Sequence, residues 1–489
     1  MAILEGLEPK KVFEFFEYIS SVPRGSGNTG AVSELCIKFA KDRGLTCYKD
    51  GLNNVIIYKN ATPGYENAPT IVLQGHLDMV CAKNVDCSKD MDKEPIDLMH
   101  DDKYVFAKDT TLGGDDGIAI AYALAVLDSD EIKHPNIEAV FTVDEEVGMD
   151  GARDINPKLI SGRKFLNIDS EEEGIFTCGC AGGCRLNGLI PVEREKFPLD
   201  RTCLSITLSG LCGGHSGTEI NKQPASSNYL MGRVLFELNE KFPINLISLE
   251  GGKFDNVITP ATSAGIAVNE KNVAEITQFI EKYSEVLKLE YGSINPDIKL
   301  SASVEEKIDK DNLSVLDKKS TFNVLSAIYL SFQGVIEMDM DLKGLVQTSQ
   351  NLGVLCLKEN EFNITFLVRS SIDSQKDHAI KKITSLIKLF GGTVSLLGNY
   401  PGWKYVRESK FRDLCVKKYN ELYGKDPVIT SIHAGLECGL FAEKLEGLDA
   451  ISIGPNILDI HTPMERLEIS SVERTWKLIL RVLESANEL

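Results

Sequence analysis

Short apolar runs rich in β-branched residues alternate with segments of helical period through the first third of the chain and again near its end. Val12, Phe13, Phe16 and Ile19 recur at helical spacing behind Pro9, a residue suited to a helix start, so residues 9–20 are expected to form a helix. Residues 31–43 repeat that period, with Gly44 as the stop. Residues 54–58 and 70–74 read as strands separated by a Pro/Gly turn. Residues 118–127 are almost wholly apolar, which predicts a helix buried on every side. Residues 137–143, 165–168 and 450–454 are further strand candidates. Strands alternating with helices predict an α/β fold built on a doubly wound, mixed but mostly parallel sheet. Sites in such sheets form at the carboxyl ends of strands.

Between about Arg185 and Tyr400 the pattern changes. Residues 202–209 alternate polar and apolar, 224–242 has helical period, and 263–268 and 362–369 read as strands. The charged stretch 304–319 is expected to be a solvated helix or loop. The segment is therefore read as an inserted α+β domain, 186–399, interrupting a domain made of 1–185 and 400–489. A chain of 489 residues is long enough for both.

Composition removes several functions. The net charge of −19 argues against nucleic acid and anionic membrane as partners, since both reward basic surfaces. The opening residues lack the basic-then-apolar order of a signal peptide, and no apolar run is long enough to span a bilayer. A cytoplasmic location is expected, in which the twelve cysteines are reduced thiols. Cys178, Cys180 and Cys184 lie close together but have no partner pair of the kind a structural zinc site needs, so no metal is assigned there. Residues 25–30 spell G-x-G-x-x-G, yet a helix and Pro23 precede them where a dinucleotide site requires a strand; they are read as a loop.

The candidate chemistry sits at strand ends. His76 and Asp78 follow the run 70–74, and residues two apart on extended chain share a face. Asp78 can then hold one ring nitrogen of His76 and leave the other for a metal. Asp115, Glu145, Glu146, Asp169 and His461 fall at, or just past, other strand ends and turns. Each alone has an ordinary explanation: Asp115 and Asp116 as acids at a helix N-terminus, Glu145 and Glu146 as loop charges, His461 as a core histidine. Gathered together the acids would repel one another without a cation, so the set predicts a metal centre. Two ions a few ångströms apart need a bridging carboxylate and about two terminal ligands each, and nitrogen and oxygen donors suit zinc, with cobalt or manganese as substitutes. A serine hydrolase built on Ser216 is excluded, because no G-x-S-x-G elbow follows a strand.

The stretches Gly75-His76-Leu77-Asp78, Leu112-Gly-Gly-Asp115-Asp-Gly, Asp144-Glu145-Glu146-Val-Gly and Asn167-Ile-Asp169-Ser-Glu resemble the di-zinc M20 metallopeptidase family, and within it the Xaa-His dipeptidase branch. Gly214-His215-Ser-Gly, His433-Ala-Gly-Leu-Glu437-Cys-Gly and Asn456-Ile-Leu-Asp-Ile-His461-Thr-Pro extend the resemblance over nearly the whole chain. It implies that Asp115 bridges two zinc ions per subunit, that His76 and Asp169 complete one ligand set, and that Glu146 and His461 complete the other. Asp78 would orient His76, and Glu145 would be the general base and then the acid. His215, Asn256, Arg369, His433 and Glu437 would bind substrate, and the insertion is similar to the family's lid, through which a homodimer would form. The implied reaction is hydrolysis of small peptides, namely Xaa-His-type and other unblocked dipeptides, by a zinc-bridging hydroxide. The alternative is a related tripeptidase, aminopeptidase or N-acyl amino acid deacylase. Asp169, rather than Glu, resembles members that act at a free amino terminus. Gly114-Asp115-Asp116 departs from the Ala-Asp-Asn of close relatives but keeps the bridging position.

Overall fold

A computed structural model describes residues 3–305, 310 and 312–489 of the chain. The chain divides into two units. The first runs up to Gly179 and resumes over Trp403–Ser431 and Leu436–Leu489; the second is Cys180–Gly402 with Ile432–Gly435. The first crossing thus comes at Gly179–Cys180 rather than at 185, and Ile432–Gly435, a stretch the sequence reading placed in the first domain, lies with the second.

The first unit is built on an eight-stranded sheet. Its centre is four parallel strands in the order Ile137–Thr142, Ile71–His76, Lys164–Asn167 and Asp449–Ser452. Antiparallel strands extend it on both sides. Ile71, Val72 and Leu73 are each fully buried, as a strand with both faces covered requires. That is why their run is continuously apolar instead of alternating.

The helix Gly114–Asp128 packs on this sheet and against the helix Lys10–Ser20. All of Gly114–Leu127 is buried, in keeping with the all-apolar pattern of 118–127. Its first turn is irregular: Asp115 and Asp116 have non-helical backbone angles and their peptide bond is cis. The segment 25–30 is the expected loop, leading into the helix Gly30–Asp42. Cys178, Cys180 and Cys184 are buried thiols, and the candidate metal-ligand groups among the described residues include no cysteine.

The second unit carries a nine-stranded sheet, antiparallel at every pairing, with the helices Ser227–Lys241, Val273–Tyr291, Lys318–Tyr329 and Asp373–Leu389. Strands and helices in this arrangement are the α+β character read from the sequence. In the stretch 304–319, residues 306–309 and 311 lie outside the described residues. The remainder is more ordered than the sequence reading proposed, with a strand Ser314–Leu316 followed by Asp317, whose side chain accepts the Ser320 N–H and caps the helix Lys318–Tyr329. No described helix is long and apolar enough to cross a membrane.

Because Leu73 is fully buried in the central strand, Leu73→Ala is expected to destabilise the chain by about 2–5 kcal/mol. The check is a lower denaturant midpoint with an unchanged slope.

Candidate active site

The strand Ile71–His76 ends on His76, which is 1% exposed. Its Nδ1 lies 3.1 Å from the Asp78 carbonyl oxygen and 3.4 Å from Asp78 Oδ1. That nitrogen therefore carries the ring hydrogen, and the Nε2 lone pair faces Asp115 Oδ1 at 3.1 Å and Asp169 Oδ1 at 3.4 Å. Lone pair facing lone pair is repulsive unless a proton or a cation lies between.

Asp115 presents a carboxylate with two faces. Oδ1 meets His76, and Oδ2 lies 3.2 Å from Nε2 of His461. The same His461 nitrogen is 3.0 Å from Glu146 Oε2, while Glu146 Oε1 is buried without a hydrogen-bond partner. His461 itself sits on left-handed backbone at φ 61° after the short strand Ile457–Leu458. Asp116, by contrast, turns inward: its Oδ2 accepts the N–H of His76 at 3.1 Å. Donor atoms of His76, Asp115 and Glu146 lie within 4.8 Å of one another, and so do those of His76, Asp116 and Asp169. The second grouping names Asp116, yet Asp115 is the carboxylate facing both imidazoles, and Asp116 is already committed to a backbone N–H.

Glu145 and Glu146 open the short helix Glu145–Gly148, just past the strand Ile137–Thr142. Their N–H groups reach Asp78, to Oδ1 at 3.2 Å and Oδ2 at 3.4 Å, and Ser26 donates to Oδ2 at 2.8 Å. Asp78 is fully buried. Burial opposes its charge, but the bonds from His76, Ser26 and the Glu145 N–H win and hold its carboxyl below the usual range.

The electrostatics suit a cation. Burial works against charge on His76, yet Asp115, Asp169 and Asp78 outweigh it and raise its pKa well above the ordinary value. Hydrogen bonds to Asp115 and Glu146 lift His461 to about 10. Burial, with Asp115 and Glu146 nearby, pushes Asp169 up to about 6. Burial, with Asp169, Glu437 and Asp115 nearby, pushes Glu145 well above the carboxylate range. Raised proton affinity at His76, His461, Asp169 and Glu145 marks the negative potential a divalent ion needs. With the orphaned Glu146 oxygen and the opposed lone pairs at His76, the donor set fits two divalent ions.

Glu437 also lies in the first unit, fully buried at the start of the helix Glu437–Lys444. Its Oε2 accepts from Gln74 Nε2 and Thr142 Oγ1, each at 2.6 Å, and its Oε1 has no partner. Burial, with Asp169 and Asp78 nearby, raises it to about 7.

The other four expected residues lie together in the second unit. Arg369 lies one residue from the end of the strand Glu361–Ser370, is 7% exposed, and donates to Tyr400 Oη at 3.1 Å. His433 Nε2 is 2.7 Å from Ser349 Oγ. His215 donates its backbone N–H to Glu219 at 2.8 Å, and its neighbour Ser216 donates to the Asn256 carbonyl at 2.9 Å, leaving the Asn256 side chain exposed. Burial and the Arg369 guanidinium lower both histidines, His433 to about 3.

The family model for Peptidase family M20/M25/M40 matches residues 72–485. The chain belongs to that family. It is 37% identical, over 99% of both chains, to a cytosol non-specific dipeptidase of Escherichia coli. It is also similar to the crystal structure of an aminoacylhistidine dipeptidase from Vibrio alginolyticus, with a TM-score of 0.93 and 35% identity, covering 99% of this chain and 98% of that one. An aminopeptidase PepT from Bacillus cereus, at a TM-score of 0.57 and 16% identity over 98% and 99% of the chains, shares the fold.

Sequence reasoning missed the residues that brace the turns carrying this acidic cluster. Arg24, 1% exposed, donates to the carbonyls of Leu77 at 3.0 Å, Asp78 at 3.1 Å and Gly113. Asn54 accepts the Val143 N–H at 3.2 Å and donates to the Gly151 carbonyl at 3.1 Å, bracketing the turn that holds Glu145 and Glu146. Glu465, 2% exposed, accepts backbone N–H groups of the Asp115 turn. The available signal was the glycine pattern: a Cβ at Gly113 or Gly117 would collide with the Arg24 guanidinium.

The His433 shift has a pH consequence. A folded-state pKa near 3 lies below the unfolded value of about 6.5, so the unfolded chain binds more protons between the two. Its contribution to stability is therefore lost as pH falls from about 6.5 towards 3, by at most about 1.4 kcal/mol per pH unit. A His433→Gln variant is expected to show a shallower fall over that window when both are melted across the same buffers.

Proposed function

We propose that the chain is a metal-dependent dipeptidase hydrolysing unblocked dipeptides, Xaa-His among them, with two zinc ions per subunit. The observation that carries this reading is the Asp115 carboxylate shared between two imidazoles, with a buried glutamate beside it. His76 and Asp169 would hold one ion, Glu146 and His461 the other, and Asp115 both. Two divalent cations there would supply Lewis-acid chemistry, giving a more acidic water and a polarised carbonyl.

The chain's own groups do the rest. Glu145 has the raised proton affinity of a general base, so it takes a proton from the attacking water and returns it to the leaving amine. Asp78 fixes the ring of His76 and, through two N–H groups, the start of the helix bearing Glu145. Arg369, a permanent cation, would bind the substrate carboxylate, with His215, Asn256 and His433 as neutral polar contacts. Glu437 would meet the substrate's polar groups with its unpartnered oxygen. The second unit is proposed as a substrate-binding lid that also joins a homodimer, and the location as cytoplasmic, in line with the cytosol dipeptidase relative.

The test is a dipeptide panel, β-Ala-His and Gly-His included, run beside tripeptides and N-acyl amino acids on metal-loaded protein. Dipeptide cleavage is expected, and preference for either other class would overturn the reading. Glu145→Ala is expected to keep its metal and lose about 10²–10⁴-fold in kcat. Full turnover in a metal-loaded variant would remove Glu145 as the base.

A further inference from the structure

Four residues beyond His461, the chain places a buried carboxylate against the turn that delivers Asp115. Glu465 Oε2 accepts the N–H groups of Leu112 at 2.8 Å and Gly113 at 3.0 Å, and Oε1 those of Gly114 at 2.7 Å and Asp115 at 3.3 Å. Each oxygen takes two N–H groups, so the carboxylate's acceptor capacity is directed wholly at one turn. The Glu465 N–H itself bonds to the Thr462 carbonyl at 3.1 Å, closing a short loop that begins at His461. Opposite it, Arg24 pulls on the Gly113 carbonyl of the same turn and is anchored on the carbonyls of Leu77 and Asp78. The turn is thus gripped by its N–H groups from the His461 side and by a carbonyl from the His76 side.

We propose that Glu465 is a positioning residue that sets the two-faced presentation of Asp115 and locks the His461 loop to it. His76 and Asp169 come from the ends of paired strands and are placed by the sheet itself. His461 has no such support, since it follows a two-residue strand and stands on left-handed backbone. Its register against Asp115 depends on Glu465. A glutamine at 465 keeps the shape but replaces one acceptor oxygen by an NH₂ group facing two N–H donors. The Asp115 turn and the His461 loop would then separate, and the ion between Asp115, Glu146 and His461 would be held loosely while the other stayed.

This inference rests on the two-metal reading, and the experiment separates the two. Zinc affinity of wild type, Glu465→Gln and Glu465→Asp is measured by competition with a chromophoric chelator, alongside thermal melting of the metal-free proteins. Wild type is expected to bind two ions; fewer would overturn the two-metal reading and this one with it. Glu465→Gln is expected to retain one tight ion and to bind the second about 10–100-fold more weakly. Glu465→Asp, which keeps the charge but draws both oxygens back by one methylene, is expected to weaken the same ion by a smaller factor, and it decides the matter if Glu465→Gln does not fold. Two ions bound as tightly as in wild type, or both weakened equally, would reduce Glu465 to a structural role, even with a lowered metal-free melting temperature.

Discussion

Asp78 is fully shielded from water, yet its carboxylate stays charged because donors on three separate segments point at it: the His76 ring, Ser26, and the N–H groups of Glu145 and Glu146. A buried charge without such partners would cost several kcal/mol and would neutralise instead. The consequence runs in both directions. His76 has its tautomer fixed from behind, and the helix of Glu145 and Glu146 has its first turn anchored to the same two oxygens. One acid therefore sets His76 and Glu145 in a single frame. Any change that moved Asp78 would misplace both at once.

Around that frame the protein tolerates a concentration of like charge that ordinary folding would avoid. Asp115, Asp116, Glu145, Asp169 and Glu437 lie close enough to perturb one another's protonation. The surrounding sheet bears this cost through its fully buried apolar strands, whose transfer from water is the main stabilising term of such a core. Cations, once present, would turn the repulsion into cohesion.

Much of this was legible in the chain. His76, Asp78, Glu145 and Asp169 sit where continuous or near-continuous apolar runs stop, and a parallel sheet makes such stops converge. The buried helix after Asp115 was equally plain, because 118–127 offers no polar face. Arg24, Asn54 and Glu465 were not legible, since their partners lie 89, 97 and 353 residues away and leave no local period. Asp116 was read as a helix-terminus acid; its bond to the His76 N–H depends on the irregular first turn, which nothing in the residue types announces. The stretch 304–319 was misjudged for a related reason: its charges are real, but Val315 and Leu316 among them are fully buried.

The central sheet order also governs when the protein can become competent. The contact between Asp115 and His461 spans 346 residues, and the strand Asp449–Ser452 pairs with Lys164–Asn167 across the whole second unit. Contacts of such high sequence separation form late, because the intervening loop must be closed first. An incomplete chain emerging from synthesis holds His76, Asp115, Glu146 and Asp169 but not His461. With two ions held as proposed, their full capture would wait until the segment bearing His461 is in place, which would make metal loading a report on completed folding rather than a guide to it.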